Sequence, residues 1–584
     1  MTLEAARADP APPAGSRSRR ARDVRRRWQA VVAGIAVLST VPILLVIASL
    51  LTPSGEVWSF LLDAGLGSMI VTTVLLGIVV VTGAVALGAV LAWLVGRHTF
   101  PGQRWFSWLL VLPLAIPAYV SGFVYIGLMD HPGPVQSGLR AIFGPDVWFP
   151  EVRSFWLCAL VLICAFYPYP YILARAALRE QSATTYEAAR ALGAGPVTAA
   201  RRVVLPLARP SLAAGAMLVA METLTDFATV QYFGVSTVSV GVHQVWVGMY
   251  DREAASELAG VVMLFALAVI AAERLARGGA RFHQHGRGRG LSPEPLRGRR
   301  AVLASGACVL VLGVTFVIPV GQLLMWSRPS ETTVGVDGRF LGYVANSAGM
   351  AAGVALLCVA VGLLLASAAR LGGGRTTAWL ARLATIGYAV PGPVVAIGVL
   401  IMLSALDWLL DAVNVSLGTS VVTGTVAGLV YAYVIRFLAL AWSSLDAGLE
   451  GVSPSVTQAA LSLGVRPARV LRRVHLPLLR PGIGVALVLV AVDALKELPI
   501  MLLLRPFGFE TLAVWVNQLA VESRWESAGP PALTIVAVAL VPIVLVFRRT
   551  LAAPGAERPT DAGPGGPDPA ARPGLPSPAD GGPL

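Results

Sequence analysis

The chain contains two polar stretches that repeat each other, EAARALGAGP at residues 187–196 and QAALSLGVRP at residues 458–467. Each is followed by a second matching motif, RRVVLP at 201–206 and RRVHLP at 472–477. Each residue of the first copy is separated from its counterpart in the second copy by the same number of residues that separates position 187 from position 458. A constant separation of this kind indicates an internal duplication in which each copy carries one polar loop.

The composition around these loops is that of a membrane protein. Of 584 residues, 56% are hydrophobic and 13% are charged, and the mean hydropathy is +0.72. Soluble domains carry about 25% charged residues. The net charge of +13 does not indicate a nucleic-acid partner, because the arginines cluster between apolar runs and form no stripe interleaved with aromatics. The four cysteines lie in apolar runs without metal-ligand spacing, which favours small core residues over a disulfide framework or a zinc site.

The apolar runs predict an all-α integral membrane protein with about twelve transmembrane helices in two parallel-repeat units. Each run reaches the roughly 20 residues that a bilayer requires. Arginine-rich loops alternate with arginine-poor loops along the chain, so both termini are expected in the cytoplasm. A parallel repeat predicts a pseudo-two-fold axis along the membrane normal, with a path between the halves. The predicted spans are 29–51, 67–95, 105–129, 154–176, 211–232, 256–276, 301–326, 344–369, 377–404, 417–441, 482–504 and 526–547.

The same patterns divide the chain into segments. The termini and the Gly/Arg-rich centre lack an apolar pattern, so we expect disorder at both ends and a flexible join between the halves. The expected segments are a disordered basic N-terminus (1–28), a leading helix with an outside loop (29–66), a first unit (67–276) with a polar loop at 178–210, a basic linker (277–300), a second leading helix (301–343), a second unit (344–547) with a polar loop at 443–481, and a disordered tail (548–584).

Each polar loop is predicted to form two short helices outside the bilayer. In the first loop, Gly193 is expected to end one helix in the left-handed conformation, Pro196 to start the next, and Pro206 to interrupt it. Gly464 and Pro477 take the corresponding places in the second loop. Such helices either rest on lipid as amphipathic elements or dock with a partner. Two copies with the same glycine and proline positions favour docking.

This loop pattern resembles the cytoplasmic coupling loop of ABC importer permeases of the binding-protein-dependent type. The resemblance implies that each loop inserts into a cleft on an ATP-binding subunit, and that an extracytoplasmic solute-binding protein delivers the cargo. Gln458 stands where the family usually has Glu, so the two docking interfaces are expected to be unequal. The residues expected to couple to the ATPase are Glu187, Ala188, Ala189, Gly193, Pro206, Gln458, Ala459, Ala460, Gly464 and Pro477.

The chain itself is not expected to be an enzyme. It contains no Gly-rich phosphate loop followed by Lys and Ser or Thr, and its single lysine is Lys496. ATP hydrolysis must then come from a separate partner, and two docking loops imply two ATP-binding subunits. No cofactor is expected in this chain, and the resemblance places it in the bacterial plasma (inner) membrane.

A charged segment follows each loop within an apolar run, METLTDF at 221–227 and DALKELP at 493–499. Glu222 corresponds to Asp493 and Asp226 to Glu497, and residues four apart share one helix face. A charge in the bilayer costs about 2.5 kcal/mol or more, so these groups must face a cavity or a partner. They either form a structural ion-pair network with Lys496 or line a polar vestibule for a cation. The two interpretations are compatible.

These segments resemble the two halves of ferric iron importer permeases, which are fused in one chain. LPLAIP at 112–117 and YAVPGP at 388–393 likewise resemble the proline-broken helices of that family. The resemblance implies a ferric cargo, while thiamine, phosphonate or another small solute remains an alternative, and an ion-gradient-driven secondary transporter is the alternative of a different class. No metal-ligand set is predicted. The expected path residues are Glu222, Asp226, Asp493, Lys496, Glu497, Pro117 and Pro391.

Overall fold

The protein is an all-helical membrane bundle in a computed structural model. Lipid offers no water to hydrogen-bond with backbone N–H and C=O groups, and a helix pairs these groups with each other. The apolar runs are therefore helical. In the described part of the chain, the only strands are β1 (His98–Thr99) and β2 (Glu294–Pro295), which pair in parallel. The structure describes residues 14–51, 53, 55–63, 65–180, 183–246, 252–277, 293–328, 337–372, 374–412, 423–450, 454–463, 465 and 467–551.

The described residues confirm the predicted class and number of spans. Nine helices are long and apolar enough to cross a membrane, and the number rises to twelve if each of three sharply bent helix pairs is one span. The first half contains α1 (Ala14–Ser49), α2 (Gly55–Asp63), α3 (Leu66–Arg97), α4 (Gln103–Leu109), α5 (Ala118–Met129), α6 (Pro134–Phe143), α7 (Phe155–Phe166), α8 (Pro168–Glu180), α9 (Ala183–Ala191), α10 (Pro196–Ala199), α11 (Leu205–Thr225), α12 (Ala228–Tyr232), α13 (Val238–Gln244) and α14 (Arg252–Arg277).

The second half repeats this order of elements. Its helices are α15 (Arg299–Leu312), α16 (Ile318–Trp326), α17 (Gly338–Gly372), α18 (Arg375–Ala384), α19 (Gly392–Ala412), α20 (Val426–Glu450), α21 (Pro454–Ser462), α22 (Pro467–Val470), α23 (Leu476–Leu478), α24 (Arg480–Lys496), α25 (Pro499–Leu504), α26 (Leu512–Val521) and α27 (Trp525–Leu551).

Around the polar loops, the helices of the two halves begin and end at equivalent residues. Helices α9 and α21 begin and end at matched positions, with the same offset that relates the two sequence motifs, and so do α10 and α22. A π-helical turn follows in each half, at Ala200–Val204 and Leu471–His475. The spans that come next end at Thr225 and Lys496, which are again matched positions. The duplication seen in the sequence is therefore a duplication of structure.

Two predicted spans are each broken near their ends. The runs 211–232 and 482–504 were predicted as single helices, but α11 stops at Thr225 and α24 at Lys496. Short helices α12 and α25 start after two intervening residues. Pro499 has no N–H to donate to the preceding turn, so α24 cannot continue through it. Asp226 and Glu497 thus lie at helix breaks, whereas Glu222 and Asp493 lie in the last turns of α11 and α24.

The prolines predicted to break helices do so. A 3₁₀ turn at Leu112–Ala115 leads to extended Ile116, and α5 begins directly after Pro117. The second half has the same arrangement, with a 3₁₀ turn at Ile386–Ala389 and extended Val390 before Pro391. The predicted span 377–404 is therefore α18 and the first part of α19, with α19 continuing to Ala412.

The first leading helix is exchanged between the halves, and the second contacts both halves. Helix α1 precedes the first unit but packs mainly against α17, α18 and α19 of the second, and also against α14. Helix α16 packs mainly against α27 of its own half and also contacts α5 of the first unit. Tyr431 of α20 donates a hydrogen bond to the carbonyl oxygen of Leu38 in α1 at 2.5 Å, and Tyr125 of α5 donates to Val314 beside α15. The exchange fastens each half to the other.

The expected disorder at the N-terminus is wrong for part of that segment. Helix α1 begins at Ala14, so residues 14–28 continue the first span as helix, and residues 1–13 lie outside the described part. The end of the basic linker is also ordered, because Glu294 and Pro295 pair with β1, whereas residues 278–292 are outside the described part. Helix α27 extends to Leu551, and the predicted tail beyond it is likewise not described.

Candidate functional site

A cavity of about 110 Å³ lies between the two halves and is lined by residues of both. Four acidic side chains reach it, Glu222 and Asp226 from the first half and Asp493 and Glu497 from the second. Lys496 and Pro117 line the same space. The cavity therefore unites six of the seven predicted path residues. Pro391 is buried behind it and is not a lining residue.

The helix breaks place two of these carboxylates at the wall. Asp226 and Glu497 are the first residues beyond α11 and α24, and both have extended backbone angles. Each caps the short helix that follows, since Asp226 accepts the N–H of Thr229 at 2.9 Å and Glu497 accepts the N–H of Ile500 at 3.2 Å. These caps satisfy backbone donors that have no helical partner. Glu222 and Asp493 lie within α11 and α24, and Asp226 and Glu497 lie one residue beyond the helix ends. The N–H of Asp226 still donates to the carbonyl oxygen of Glu222 at 2.9 Å, one helical turn earlier.

Glu497 is paired with a residue that the sequence analysis missed. Arg436 of α20 places its Nε 3.3 Å from Oε2 of Glu497, and both side chains are about 5% exposed. Its Nη1 also donates to the carbonyl oxygen of Val390 at 2.8 Å, just before Pro391. An arginine within the apolar run YVIRFLAL is itself a signal for a buried partner, and it could have been recognised on that basis.

Lys496 has a different partner from its sequence neighbour. Its Nζ lies 3.2 Å from Oδ1 of Asp493, one helical turn earlier, and not on Glu497. The same Nζ donates to the carbonyl oxygen of Leu114 at 3.1 Å, in the 3₁₀ turn of the first half. Proline-broken turns leave carbonyl oxygens without helical donors. Lys496 donates to such an oxygen in the first half, and Arg436 donates to one in the second half. Both cations belong to the second half.

The backbone at Gly392 lies close to the carboxylate of Glu497. A Cβ on Gly392, the residue after Pro391, would lie 3.0 Å from Oε1 of Glu497. In the described part of the chain, no group of three His, Cys, Asp or Glu side chains is placed to hold a metal ion. The four carboxylates are thus distributed around the cavity wall and do not converge on one point.

The two polar loops have nearly identical backbones where both are described. Gly193 has a φ of 87°, the left-handed conformation predicted for it, and the N–H of Ala194 donates to Ala189 at 3.1 Å. The equivalent bond joins Val465 to Ala460, also at 3.1 Å. This six-residue closure is the hydrogen bond of a Schellman motif. Gly464 lies outside the described residues.

The exposed surface of each loop carries a leucine that the sequence analysis did not identify. Leu192 is 88% exposed and Leu463 is 83% exposed. The neighbouring Ala188 and Ala459 are exposed, as are Glu187 and Gln458, while Ala189 and Ala460 are half-buried. A large apolar side chain held outward at the same place in both copies is a feature of contact surfaces.

The loop prolines behave differently in the two halves. Pro477 interrupts its segment as predicted, and α24 follows at a 67° bend. Pro206 does not, because α11 continues through it without a break. The helix runs continuously from Arg202 to Thr225. The predicted interruption at Pro206 is therefore wrong.

Each loop is anchored to its own half by different contacts. Tyr186 of α9 is buried against Trp93, with Arg97 4.7 Å above its ring, and Arg97 forms an ion pair with Glu294 of the linker. Burial lowers the pKa of the adjacent His98, which favours its neutral form beside this pair. In the second loop, the residue at the position of Tyr186 is Thr457, which is 3.0 Å from Nε2 of buried His475.

Comparison with known proteins agrees with this architecture. Residues 84–272 match the family described as binding-protein-dependent transport system inner membrane component. The chain is 27% identical over 485 residues to the Fe(3+)-transport system permease protein FbpB 2 of Haemophilus influenzae, covering 82% of this chain and 90% of the relative. It is 30% identical over 261 residues to the putative 2-aminoethylphosphonate transport system permease protein PhnV of Salmonella typhimurium, covering 42% of this chain and 92% of the relative.

A shorter match extends to a sugar transporter. The maltose/maltodextrin transport system permease protein MalF of Salmonella typhimurium is 33% identical over 145 residues, or 24% of this chain and 28% of the relative. The names of these relatives refer to different cargoes, which are ferric iron, aminoethylphosphonate and maltose. The chain belongs to the family of permease components of binding-protein-dependent ABC transport systems.

Proposed function

We propose that this permease imports ferric iron. The observation that carries the proposal is the cavity between the halves, which is lined by four carboxylates from two pairs of repeat-equivalent positions. Carboxylate oxygens are hard ligands that suit hard cations. The relative FbpB 2, whose name refers to Fe(3+) transport, aligns with 82% of the chain, which supports the same cargo class.

The energy for import is supplied by two ATP-binding subunits that dock at the two polar loops. Leu192 and Leu463 form the apolar centre of each docking surface, with Glu187, Ala188 and Ala189 beside the first and Gln458, Ala459 and Ala460 beside the second. Gly193 fixes the turn that presents the first surface, and Gly464 is the repeat-equivalent residue of the second loop. Pro206 and Pro477 lie where each loop meets the following span. The permease chain needs no cofactor of its own.

The cargo arrives from an extracytoplasmic binding protein, and the chain lies in the inner membrane with both termini cytoplasmic. The arginine-rich loops support this orientation, because positively charged residues concentrate on the cytoplasmic side of membrane proteins. Both docking loops are then on the side where ATP is available. Family membership favours this class over the gradient-driven secondary transporter considered above.

A phosphonate cargo is the second candidate, because the 30% identity to PhnV favours it. A phosphonate needs free cationic donors. The two cations that line the cavity, Arg436 and Lys496, are each in an ion pair with a carboxylate. Their pairing favours a cationic cargo over an anionic one.

The experiment is to purify the cognate binding protein from cells and identify its ligand by mass spectrometry and metal analysis. We expect one ferric ion per protein. Transport assays with the same binding protein should then show competition by gallium(III), another hard trivalent cation. A bound phosphonate or thiamine, with no iron, contradicts the proposed cargo while leaving the permease class intact.

A further inference from the structure

The charges around the cavity are distributed unequally between the halves. Both cations that line it, Arg436 and Lys496, belong to the second half. The repeat-equivalent positions in the first half are Ala165 and Thr225, and both also line the cavity. The duplication has therefore kept the carboxylates in both copies but has cations in only one.

The second-half carboxylates are occupied by these cations. Arg436 holds Glu497 at 3.3 Å in an almost fully buried pair, and Lys496 holds Asp493 at 3.2 Å. Each cation is held in place by a backbone carbonyl oxygen, that of Val390 for Arg436 and that of Leu114 for Lys496. Separating a buried pair leaves an uncompensated charge, so these partners resist exchange.

The first-half carboxylates form no close ion pair among the described residues, although the charges of Arg436 and Lys496 also act on Glu222. Among the described residues, Asp226 accepts hydrogen bonds only from the N–H and the hydroxyl of Thr229, at 2.9 and 2.6 Å. Glu222 makes no side-chain hydrogen bond and no ion pair in the described part of the chain, although it lines the cavity. Two acceptors on one wall therefore remain available to a cation that enters.

A third oxygen on this wall points to a ligand independently. Tyr119 of α5 lines the cavity and is only 5% exposed. Its buried hydroxyl has no hydrogen-bond partner among the described residues. A buried hydroxyl without a partner is costly, so a cation that enters the cavity would satisfy it.

We propose that Glu222, Asp226 and Tyr119 form the cation-binding station of the path, whereas Arg436 and Lys496 act as fixed counter-ions for the opposite wall. The inference rests on the proposed cationic cargo. Two carboxylates and one phenol offer only oxygen donors, as a hard cation requires. Three ligands from one wall bind less firmly than a closed metal site, which suits a cargo that must leave again.

The test uses the complete complex of permease, ATP-binding subunits and iron-loaded binding protein in proteoliposomes, with radioactive ferric iron. Tyr119→Phe removes one oxygen that bonds nothing in the described structure, so the thermal midpoint should stay unchanged or rise. Ferric uptake should fall about two- to tenfold, the effect of losing one contact of hydrogen-bond strength. The matched control is Tyr232→Phe, because the hydroxyl of Tyr232 donates to Oδ1 of Asn517 at 2.6 Å. It should lower the thermal midpoint and leave uptake per folded complex unchanged.

A second comparison separates cargo ligands from fixed pairs. Glu222→Gln should reduce uptake by tenfold or more, since a lost ion contact of this kind is worth about a factor of ten. Adding Lys496→Gln to this variant should not restore the uptake. Asp493→Asn should also reduce uptake by leaving Lys496 unpaired, but here Lys496→Gln should restore most of it. Such a double-mutant cycle measures which groups act as a pair.

The outcomes distinguish the inference from the cargo proposal. If the wild-type complex imports no ferric iron, the proposed cargo is wrong, and the proposed cation-binding station is wrong as well. If the wild type imports iron but Tyr119→Phe and Glu222→Gln do so equally well, the station alone is wrong. A loss in Asp493→Asn that Lys496→Gln does not repair overturns the role of Lys496 as a counter-ion.

Discussion

At the residue scale, the buried pair of Arg436 and Glu497 is the strongest electrostatic feature of the interface region. The two side chains are about 5% exposed and 3.3 Å apart. Glu497→Gln would leave the guanidinium buried without its counter-charge. We expect a loss of about 3–5 kcal/mol in the free energy of unfolding, because breaking one partner of a buried pair costs more than the pair contributes. Thermal unfolding of the detergent-purified permease measures this loss.

Exposed and buried pairs should respond differently. Arg524 and Glu522 form an exposed pair at 3.5 Å, with side chains 56% and 59% exposed. Glu522→Gln is the matched control and should change stability by about 1 kcal/mol or less, as exposed pairs do. Equal effects of the two substitutions would contradict the assignment of a buried, desolvated pair at Glu497.

The sequence predicted the acidic residues of the cavity and an ion pair with Lys496, but it did not predict Arg436 as the partner of Glu497. Glu222, Asp226, Asp493 and Glu497 are visible as charges in apolar runs that recur at a constant separation. Arg436 lies in a different apolar run from Glu497, before the second polar loop, and no local pattern links the two. Tyr119 is one of many aromatic residues in the apolar runs, and only its unpartnered hydroxyl distinguishes it.

At the element scale, the turn at Gly193 determines how the first docking loop is presented. Its φ of 87° is unfavourable for residues with a Cβ, although no atom lies within 4 Å of the position where a Cβ would be. Gly193→Val should therefore act through backbone strain of about 1–2 kcal/mol and not through a clash. We expect ATP hydrolysis by the complex to lose its dependence on the loaded binding protein, measured as the ratio of stimulated to basal ATPase rates.

Asparagine at the same place provides the control. It adopts the left-handed conformation more readily than other residues that have a Cβ. Gly193→Asn should keep most of the stimulation, and the permease should remain in the membrane in both variants. If Gly193→Val and Gly193→Asn both hydrolyse ATP and transport like the wild type, this turn does not couple the permease to its ATPase.

Hydropathy predicted the presence of the spans better than their ends. The runs 211–232 and 482–504 are continuously apolar apart from a few charges, so a pattern based on length and composition shows one helix in each. The break after Thr225 has only the carboxylate of Asp226, which caps the next helix, whereas the break after Lys496 has both the cap by Glu497 and Pro499. Capping by Asp or Glu has a weaker sequence signal than proline, and the proline breaks at Pro117 and Pro391 were predicted correctly.

At the scale of the whole molecule, the leading helices hold the two halves together. Helix α1 crosses α19 so closely that a Cβ on Gly398 would lie 2.3 Å from the carbonyl oxygen of Pro42. Gly398→Ala should force the helices apart and cost about 1–3 kcal/mol, as overpacking does. The measurement is the thermal midpoint of the purified permease.

A second glycine separates packing from helix propensity. Gly353 of α17 has no atom within 4 Å of a Cβ position. Gly353→Ala should be neutral or stabilise by about 0.5–1 kcal/mol, because alanine loses less conformational freedom in a helix. If Gly398→Ala is equally well tolerated, α1 does not pack on the second half as described. The exchange itself was not predictable, since the sequence shows the order of helices and not their neighbours.

The central claim is that ATP hydrolysis at the two loops drives a cation through the cavity between the halves. The most direct measurement is ferric uptake into proteoliposomes that contain the complex with its ATP-binding subunits, with loaded binding protein outside, ATP inside and no ion gradient. The account predicts uptake that requires hydrolysable ATP and the binding protein, and that falls by tenfold or more in Glu222→Gln, the loss expected for one ion contact. Uptake that proceeds without ATP when a sodium or proton gradient is applied would contradict it.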